Sequence, residues 1–534
     1  MPRVLRGRWV STSVRSIGIF ALCAALPAFG QIRPEHREMR ELITRAARLL
    51  DQATWGPTPA SILQFQEMGM NAWLNAQFAL NTSDIPDQPI LDATGKNNGN
   101  LAPVQSAFFA NAITGTDQLR QRIAFALSEI FVVSAVSDHA AYAFPPYWRI
   151  FRDNAFGNYR QIIRAVTLSP AMGTYLNMAN NNKGNSAKGT AANENYAREL
   201  MQLFTLGLTQ LNMDGSPVLV NGVPAPTYNT AVVTNMAKVL TGWTYPTAPG
   251  ATPKNNNPQY YFGEMIPVDA EHDTSAKTIF NNVTIPAGQS AQMDLDSLLN
   301  ALMSQPTMAP FVSRQLIQHL VTSNPSPAYI ERIAQVFENN GAGVTGDMKA
   351  VITAILLDPE ARAGDDSGAP ANPAFGHMRE PVLFMANILR GLNATLGASS
   401  AIYNQATEMG QQLFYSPSVF SYFSPLYRTE KGSLGPEFQI YTTQTAADRA
   451  DIVHSALYGT LDKSTTVNLT PFVQQAANLE MLLNHVSTVF LHGAMSANLR
   501  QAAYTAAAAQ KGALAQVQAA LYVVLTSGEY QVIQ

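Results

Sequence analysis

Apolar residues in this chain return repeatedly at steps of three and four, a spacing that buries one side of an α-helix and cannot line one face of a strand. The stretch 117–133, DQLRQRIAFALSEIFVV, is the clearest case. Leu119, Ile123, Ala126, Leu127 and Ile130 form its apolar side, and Arg120, Arg122 and Glu129 occupy other faces. Residues 39–51 repeat the pattern with Leu42, Ile43, Ala46, Leu49 and Leu50, and the turn Gly56-Pro57-Thr58-Pro59 stops them. Short helices are expected at 61–68 and 71–78, and longer ones at 158–168 and 230–240. In the second half the same spacing predicts helices at 295–303, 308–322, 328–339, 346–357, 379–391, 446–458, 478–490 and, with breaks, 499–525. Strand is expected at 217–228, where Val-Leu-Val and Asn221-Gly222 read as a small hairpin, and as short pieces within 246–290. Residues 246–290 lack a long period and form an irregular excursion. The fold class is therefore mainly α, a large multi-helix globular domain with long irregular loops and at most small β-hairpins.

The N-terminus bears on compartment. Arg3, Arg6, Arg8 and Arg15 precede an apolar run at 17–26 that ends in small residues near Gly30, the pattern of a secretory signal peptide over 1–30. The run is shorter than the ~20 residues a spanning helix needs, and no uninterrupted apolar stretch of that length follows. The expectation is an exported chain, periplasmic or extracellular, with no membrane span after signal removal. No adjacent Arg pair is present, which favours the general secretory route over the twin-arginine one. The single cysteine, Cys23, lies in the apolar run behind Leu22, so a mature chain starting after Gly30 has none. That excludes disulfides, thiolate metal sites, CxxCH haem attachment and a cysteine nucleophile. Removal of 1–30 also takes away four Arg, leaving 30 basic against 37 acidic residues and a net charge of −7. Nucleic acid is not an expected partner for such a chain.

One stretch stands out for chemistry, 193–207, NENYARELMQLFTLG, which follows the polar loop ANNNKGNSAKGTAA. On a helix, Tyr196, Ala197, Leu200, Met201, Leu203 and Phe204 fall within an arc of about 160°. Glu194, Asn195, Arg198, Glu199 and Gln202 fill the rest. Glu194 precedes Arg198 by four residues and Asn195 precedes Glu199 by four, so each pair shares a face. Three readings follow: an exposed salt-bridged face, a buried structural network, or a site. In the last, Glu199 or Glu194 is a general acid or base, Arg198 tunes it or binds an anionic substrate, and Asn195 orients it. Asn193 as helix N-cap would leave backbone N–H groups free for an anion, and Gly207 suits the C-cap.

A second cluster, His272-Asp273 with Lys277 in EHDTSAKTIF, falls in the irregular excursion. An adjacent His and Asp can ligate a metal, or an Asp elsewhere can orient the His as a base, and a solvated loop His is the plainer reading. His485 and His492, if on one helix, stand about 10 Å apart along its axis, too far to share an ion. His319 reads as a packed core residue, and Asp347 and Lys349 as helix-start residues. Aromatic residues crowd 414–427, FYSPSVFSYFSPLY, as a wide loop plugged into the core or as a platform for sugar rings. No HExxH, GxSxG, SxxK or GxxxxGK[ST] occurs.

Four stretches carry a family resemblance: LLDQATWGPTP at 49–59, LRQRIAFALSEIFVVS at 119–134, NENYARELMQLFTLGL at 193–208 with the later LTGWTY, and REPV at 379–382. Together with the ending SGEYQVIQ, the chain resembles an exported bacterial family known only as the domain of unknown function numbered 1800. The resemblance spans nearly the whole mature chain and so implies one unit over 31–534. It implies no catalytic residues. It also implies, as a conceivable partner, an exported protein of the alkaline-phosphatase type, because members are often encoded beside one. Many relatives have Arg where this chain has Gln52, and His where it has Phe204. The residues themselves nominate Glu194, Arg198, Glu199, His272 and Asp273 as catalytic and Asn193, Asn195 and Lys277 as substrate-binding, gathered in one cleft. That is an acid–base enzyme for a polar, glycan-like or anionic substrate. A non-catalytic scaffold and a His-ligated metal or haem protein are the alternatives, and cofactor and metal content stay open.

Overall fold

The apolar period at 117–133 becomes the helix Gln118–Ile130, and almost every residue of it is buried, Arg122 and Glu129 included. The computed structural model describes residues 34–137, 140–280, 283–365, 375–459 and 461–534, with the side chains of 34–40 and 137 excepted. The expected leader at 1–30, with Cys23, lies outside the described residues. Helices Pro34–Ala53, Ala102–Thr114, Phe144–Asn154 and Met308–Leu320 all pack against Gln118–Ile130. A helix enclosed on every side has no solvent face, so its polar residues must be satisfied inside the protein. Asp117, just ahead of it, accepts from Ser83 N at 2.9 Å and from Gln121 Nε2 at 2.9 Å. Aromatic rings fill the adjoining space edge-on, with Phe108 centred 5.3 Å from Trp55 and 5.1 Å from Trp148.

Helices dominate the described chain, and the strands are short antiparallel pairs. The expected hairpin pairs Leu219–Val220 with Val223–Pro224 around Asn221 and Gly222, both left-handed. The excursion contributes two more pairs, Trp243–Thr244 with Ile266–Pro267 and Lys277–Thr278 with Thr284–Ile285. A fourth pair sets His377–Met378 against Val532–Ile533. The expected 499–525 helix breaks at Gly512 into Ala497–Ala508 and Ala513–Leu525, which pack on each other. One contiguous set of buried apolar side chains runs from Ala46 to Ile533.

Within that core lies a polar knot. Asp51, 2% exposed, accepts from Arg379 Nη2, from Asn387 Nδ2 at 2.8 Å and from His492 Nε2 at 2.8 Å. Arg379 also donates to the carbonyl oxygens of Tyr530 and Val532, and Arg449 Nη2 donates to the Arg379 carbonyl at 2.8 Å. Burial alone would raise the Asp51 carboxyl, but the Arg379 charge and the bonds from His492 and Arg379 outweigh it and hold the group at about 2. Three segments far apart in sequence thus meet on one carboxylate, and the C-terminal segment joins them through Arg379. Replacing Asp51 by Ala strands the Arg379 charge in the core and is expected to cost about 3–5 kcal/mol in urea denaturation. Because the carboxyl is depressed, its contribution is complete above pH 3.8 and lost as pH falls through about 2. An acid titration of the wild type against Asp51→Asn checks that window.

Candidate functional site

The stretch 193–207 starts as expected and then changes register. Asn195–Glu199 is α-helical and Leu200–Thr205 is a π-helix, closed by Leu206 N and Gly207 N both donating to Met201 O at 2.9 and 3.0 Å. The widened turn accommodates Phe204, whose ring lies 5.0 Å from that of Phe131 while its carbonyl accepts from Tyr159 Oη at 2.8 Å. Gly207, with φ of 72°, supplies the left-handed end. Glu194, not Asn193, occupies the N-cap position; the Asn193 side chain instead accepts from Asn195 N at 2.9 Å.

Glu194 and Arg198 pair with each other at 3.2 Å on the exposed surface, and Thr234 Oγ1 donates to Glu194 at 2.8 Å. Glu199 is half-buried, and its Oε2 is shut off from solvent with no hydrogen-bond partner among the described residues. Burial raises its carboxyl above the ordinary 4.5, with Arg198 opposing the shift. One turn earlier on the same face, Asn195 Nδ2 donates to Asn177 Oδ1 at 3.1 Å. Asn177 leads into an open hollow of about 550 Å³, lined chiefly by Asn177, Asn180, Asn181, Asn182, Asn193 and Lys183, with Tyr245 at one wall. Asn177 and Asn180 are both left-handed, a conformation asparagine tolerates better than most side chains. Asn181 braces the rim by bonding both to Asn193 N at 2.8 Å and to Asn193 O at 3.2 Å.

His272 and Lys277 are placed elsewhere. Both are fully buried, as is Asp294, a residue the sequence reading passed over just ahead of an expected helix at 295. Asp294 Oδ2 meets His272 Nε2 at 3.1 Å and Lys277 Nζ at 2.6 Å, and His272 Nδ1 lies 2.9 Å from Thr241 O. Asp273 sits at the edge, its backbone N–H donating to Thr241 Oγ1 at 2.9 Å and its carboxylate accepting from Ser275 N at 2.9 Å. Gly242, with φ of +80°, makes room: a Cβ there would come within 2.8–2.9 Å of His272. The helix Thr230–Val239 packs both against Asn195–Glu199 and against Lys277–Thr278. The structure therefore joins Glu194, Asn195, Arg198 and Glu199 on one helix and Asn193 to the hollow, and it gathers His272 and Lys277 around Asp294 instead.

A third group was not foreseen. Glu129, Glu380 and Glu437 are all buried, around the fully buried Arg122. Gln411 Nε2 donates to Glu380, and His377 Nδ1 lies 3.1 Å from Glu437. One sequence signal exists for it. Arg122 and Glu129 are seven apart and share a helix face, and the residues between them are apolar apart from Ser128. Gln52 and Phe204 are core residues: Gln52 Oε1 accepts from Arg362, and Phe204 packs as described. Among the described residues no group of three or more His, Cys, Asp and Glu is placed to hold a metal ion, and no helix is long and apolar enough to cross a membrane.

The fold and its sites define a mainly α-helical protein whose buried titratable residues form separate networks, beside an open polar hollow. The sequence profile of a family described as "protein of unknown function (DUF1800)" matches residues 48–532, nearly the whole chain, and the chain belongs to that family. No curated protein and no solved structure matches it.

Two substitutions separate structural from surface charge. Asp294→Ala leaves Lys277 buried without its counter-charge and is expected to lower stability by about 3–5 kcal/mol. Arg198→Ala, on an exposed pair, is expected to change it by no more than about 0.5 kcal/mol. Chemical denaturation of both variants measures the contrast.

Proposed function

We propose that the protein binds a polar, polyhydroxylated ligand of the glycan class in the amide-lined hollow and acts on it by acid–base chemistry, with Glu199 as the acid. The observation that carries this reading is the hollow itself, whose amides can donate to and accept from hydroxyl groups and whose rim is hydrogen-bonded to the helix bearing Glu199. A half-buried carboxyl raised by desolvation holds its proton where an exposed one has lost it, as a general acid requires. Asn193 and Asn195 orient the ligand, and Lys183 on the lining suits an anionic substituent. Arg198 and Glu194 fix the outer face of the helix. In this reading His272, Asp273 and Lys277 are positioning residues: they hold the 241–242 turn, whose Gly242 N donates to Asn181 O at 2.9 Å. The same reading takes the protein as exported through the segment at 1–30, as one domain over 31–534.

A panel of oligosaccharides, neutral and uronic, tests it by calorimetry and product analysis. Asn177→Ala is expected to weaken binding about 10-fold, the loss of about 1.4 kcal/mol. Glu199→Gln is expected to bind normally and turn over nothing. Full turnover by Glu199→Gln, or no binding across the panel, overturns the proposal.

One observation favours a second reading, a non-catalytic scaffold or partner of an alkaline-phosphatase-like protein: Glu194 and Arg198 are exposed and pair only locally. On that reading Arg198→Glu abolishes complex formation with the partner, while Glu199→Gln and Asn177→Ala leave it intact. Co-purification of the two proteins measures this.

A further inference from the structure

A carboxyl group inside a protein is stable there when it is hydrogen-bonded or paired, and one that is neither marks a missing partner. Glu129 is such a group. It is 8% exposed, and its Oε2 is shut off from solvent with no hydrogen-bond partner among the described residues. The Ser421 hydroxyl near it is also without one. Arg122, two turns away on the same helix, does not serve it. Arg122 Nη2 donates to the carbonyl oxygen of His319, and its Nε and Nη1 have no partner among the described residues. The two other buried acids near that guanidinium are provided for, Glu380 by Gln411 and Glu437 by His377. Glu129 is the acid left over, and burial raises its carboxyl well above the ordinary range.

Glu129 lines a cavity of about 30 Å³ whose other walls are largely aromatic, with Phe125, Phe144, Trp148, Phe414 and Tyr422 around it. The rings stand at steep angles to one another. Phe414 lies 5.3 Å from Phe144 at 50° and 6.4 Å from Trp148 at 84°, so they enclose a space and do not stack into a layer. Phe414 takes its place through left-handed backbone, with φ of 69°, a conformation its side chain disfavours. Ser128 and Phe414 keep partial exposure, which puts the cavity just beneath the surface. A space of that volume exceeds the roughly 10–15 Å³ that one water needs and admits a ligand of one or two heavy atoms. Ring faces carry negative charge, as a carboxylate does, and both attract a cation.

We propose that this cavity binds a small primary ammonium cation, up to the size of methylammonium, between the Glu129 carboxylate and the surrounding rings. The ammonium N–H groups are the donors that Glu129 lacks, and the methyl group sits among the rings. A bare metal ion is not served, because no group of three or more His, Cys, Asp and Glu is placed to hold one among the described residues. The cavity shares no lining residue with the amide-lined hollow, so the two sites stand or fall separately. On this reading the aromatic segment 414–427 supplies two walls of a cation site, Phe414 and Tyr422.

The test titrates isotope-labelled methylammonium chloride into the full wild-type chain and follows its methyl resonance by NMR. A saturable upfield shift is expected, since ring currents shield a methyl group held among aromatic faces. Methanol has the same two heavy atoms without the charge, and it can accept from Trp148 Nε1, which is also buried without a partner among the described residues. Neither methanol nor the larger tetramethylammonium is expected to compete. Glu129→Gln keeps the shape and is expected to weaken binding at least about 10-fold, the effect of losing a hydrogen bond to a charged group. Phe144→Leu keeps the charge and is expected to reduce the upfield shift. No saturable shift in the wild type, the result for a cavity that holds water only, overturns the proposal. So does methanol competing as well as unlabelled methylammonium, or undiminished binding by Glu129→Gln. The wild-type competition decides the matter even if that variant fails to fold.

Discussion

The charge pair between Asp51 and Arg379 is the contact on which the rest of the arrangement depends. Two ions in a low-dielectric core are worth having only when every remaining lone pair and N–H is used. Here His492 and Asn387 complete the carboxylate, and carbonyl oxygens of the C-terminal segment complete much of the guanidinium. Those conditions fix more than the pair. They require Pro34–Ala53, Pro381–Gly391, Leu479–Leu491 and the last strand to converge in one register, so the knot specifies which helices are neighbours. Apolar burial supplies the bulk of the driving force, and it is non-directional. The polar knot supplies direction.

The helices were legible because their period is local. Residues 117–133, 308–322 and 478–490 announce themselves by apolar spacing, and the structure places helices there with ends shifted by a few residues. What the spacing cannot convey is where a helix sits. Arg122 and Glu129 fall on faces other than the apolar one, which on a surface helix would reach solvent, and Gln118–Ile130 lies amid five other helices. The π-turn at Leu200–Thr205 was equally hidden, because it follows from how Phe204 meets Phe131 and Tyr159 across the core.

The candidate site shows the same division. The polar face of 193–199 and the amide-rich loop before it are contiguous in sequence, and they remain neighbours in space. His272 and Lys277 were recognised as unusual, and they are, but their partner Asp294 sits on the next helix and draws both inward. The buried glutamates were harder still. Glu129, Glu380 and Glu437 come from segments separated by dozens to hundreds of residues, and nothing in any one segment says that the others will arrive.

The contacts of Asp51 bridge 328 residues to Arg379 and 441 to His492. Closing loops of that length is slow relative to forming local helices, so these bonds belong late in folding, after most of the helices have found each other. Interactions absent from the transition state act mainly on the rate of unfolding. The knot is then less a nucleus than a clasp. It sets how long a folded molecule lasts rather than how fast one forms.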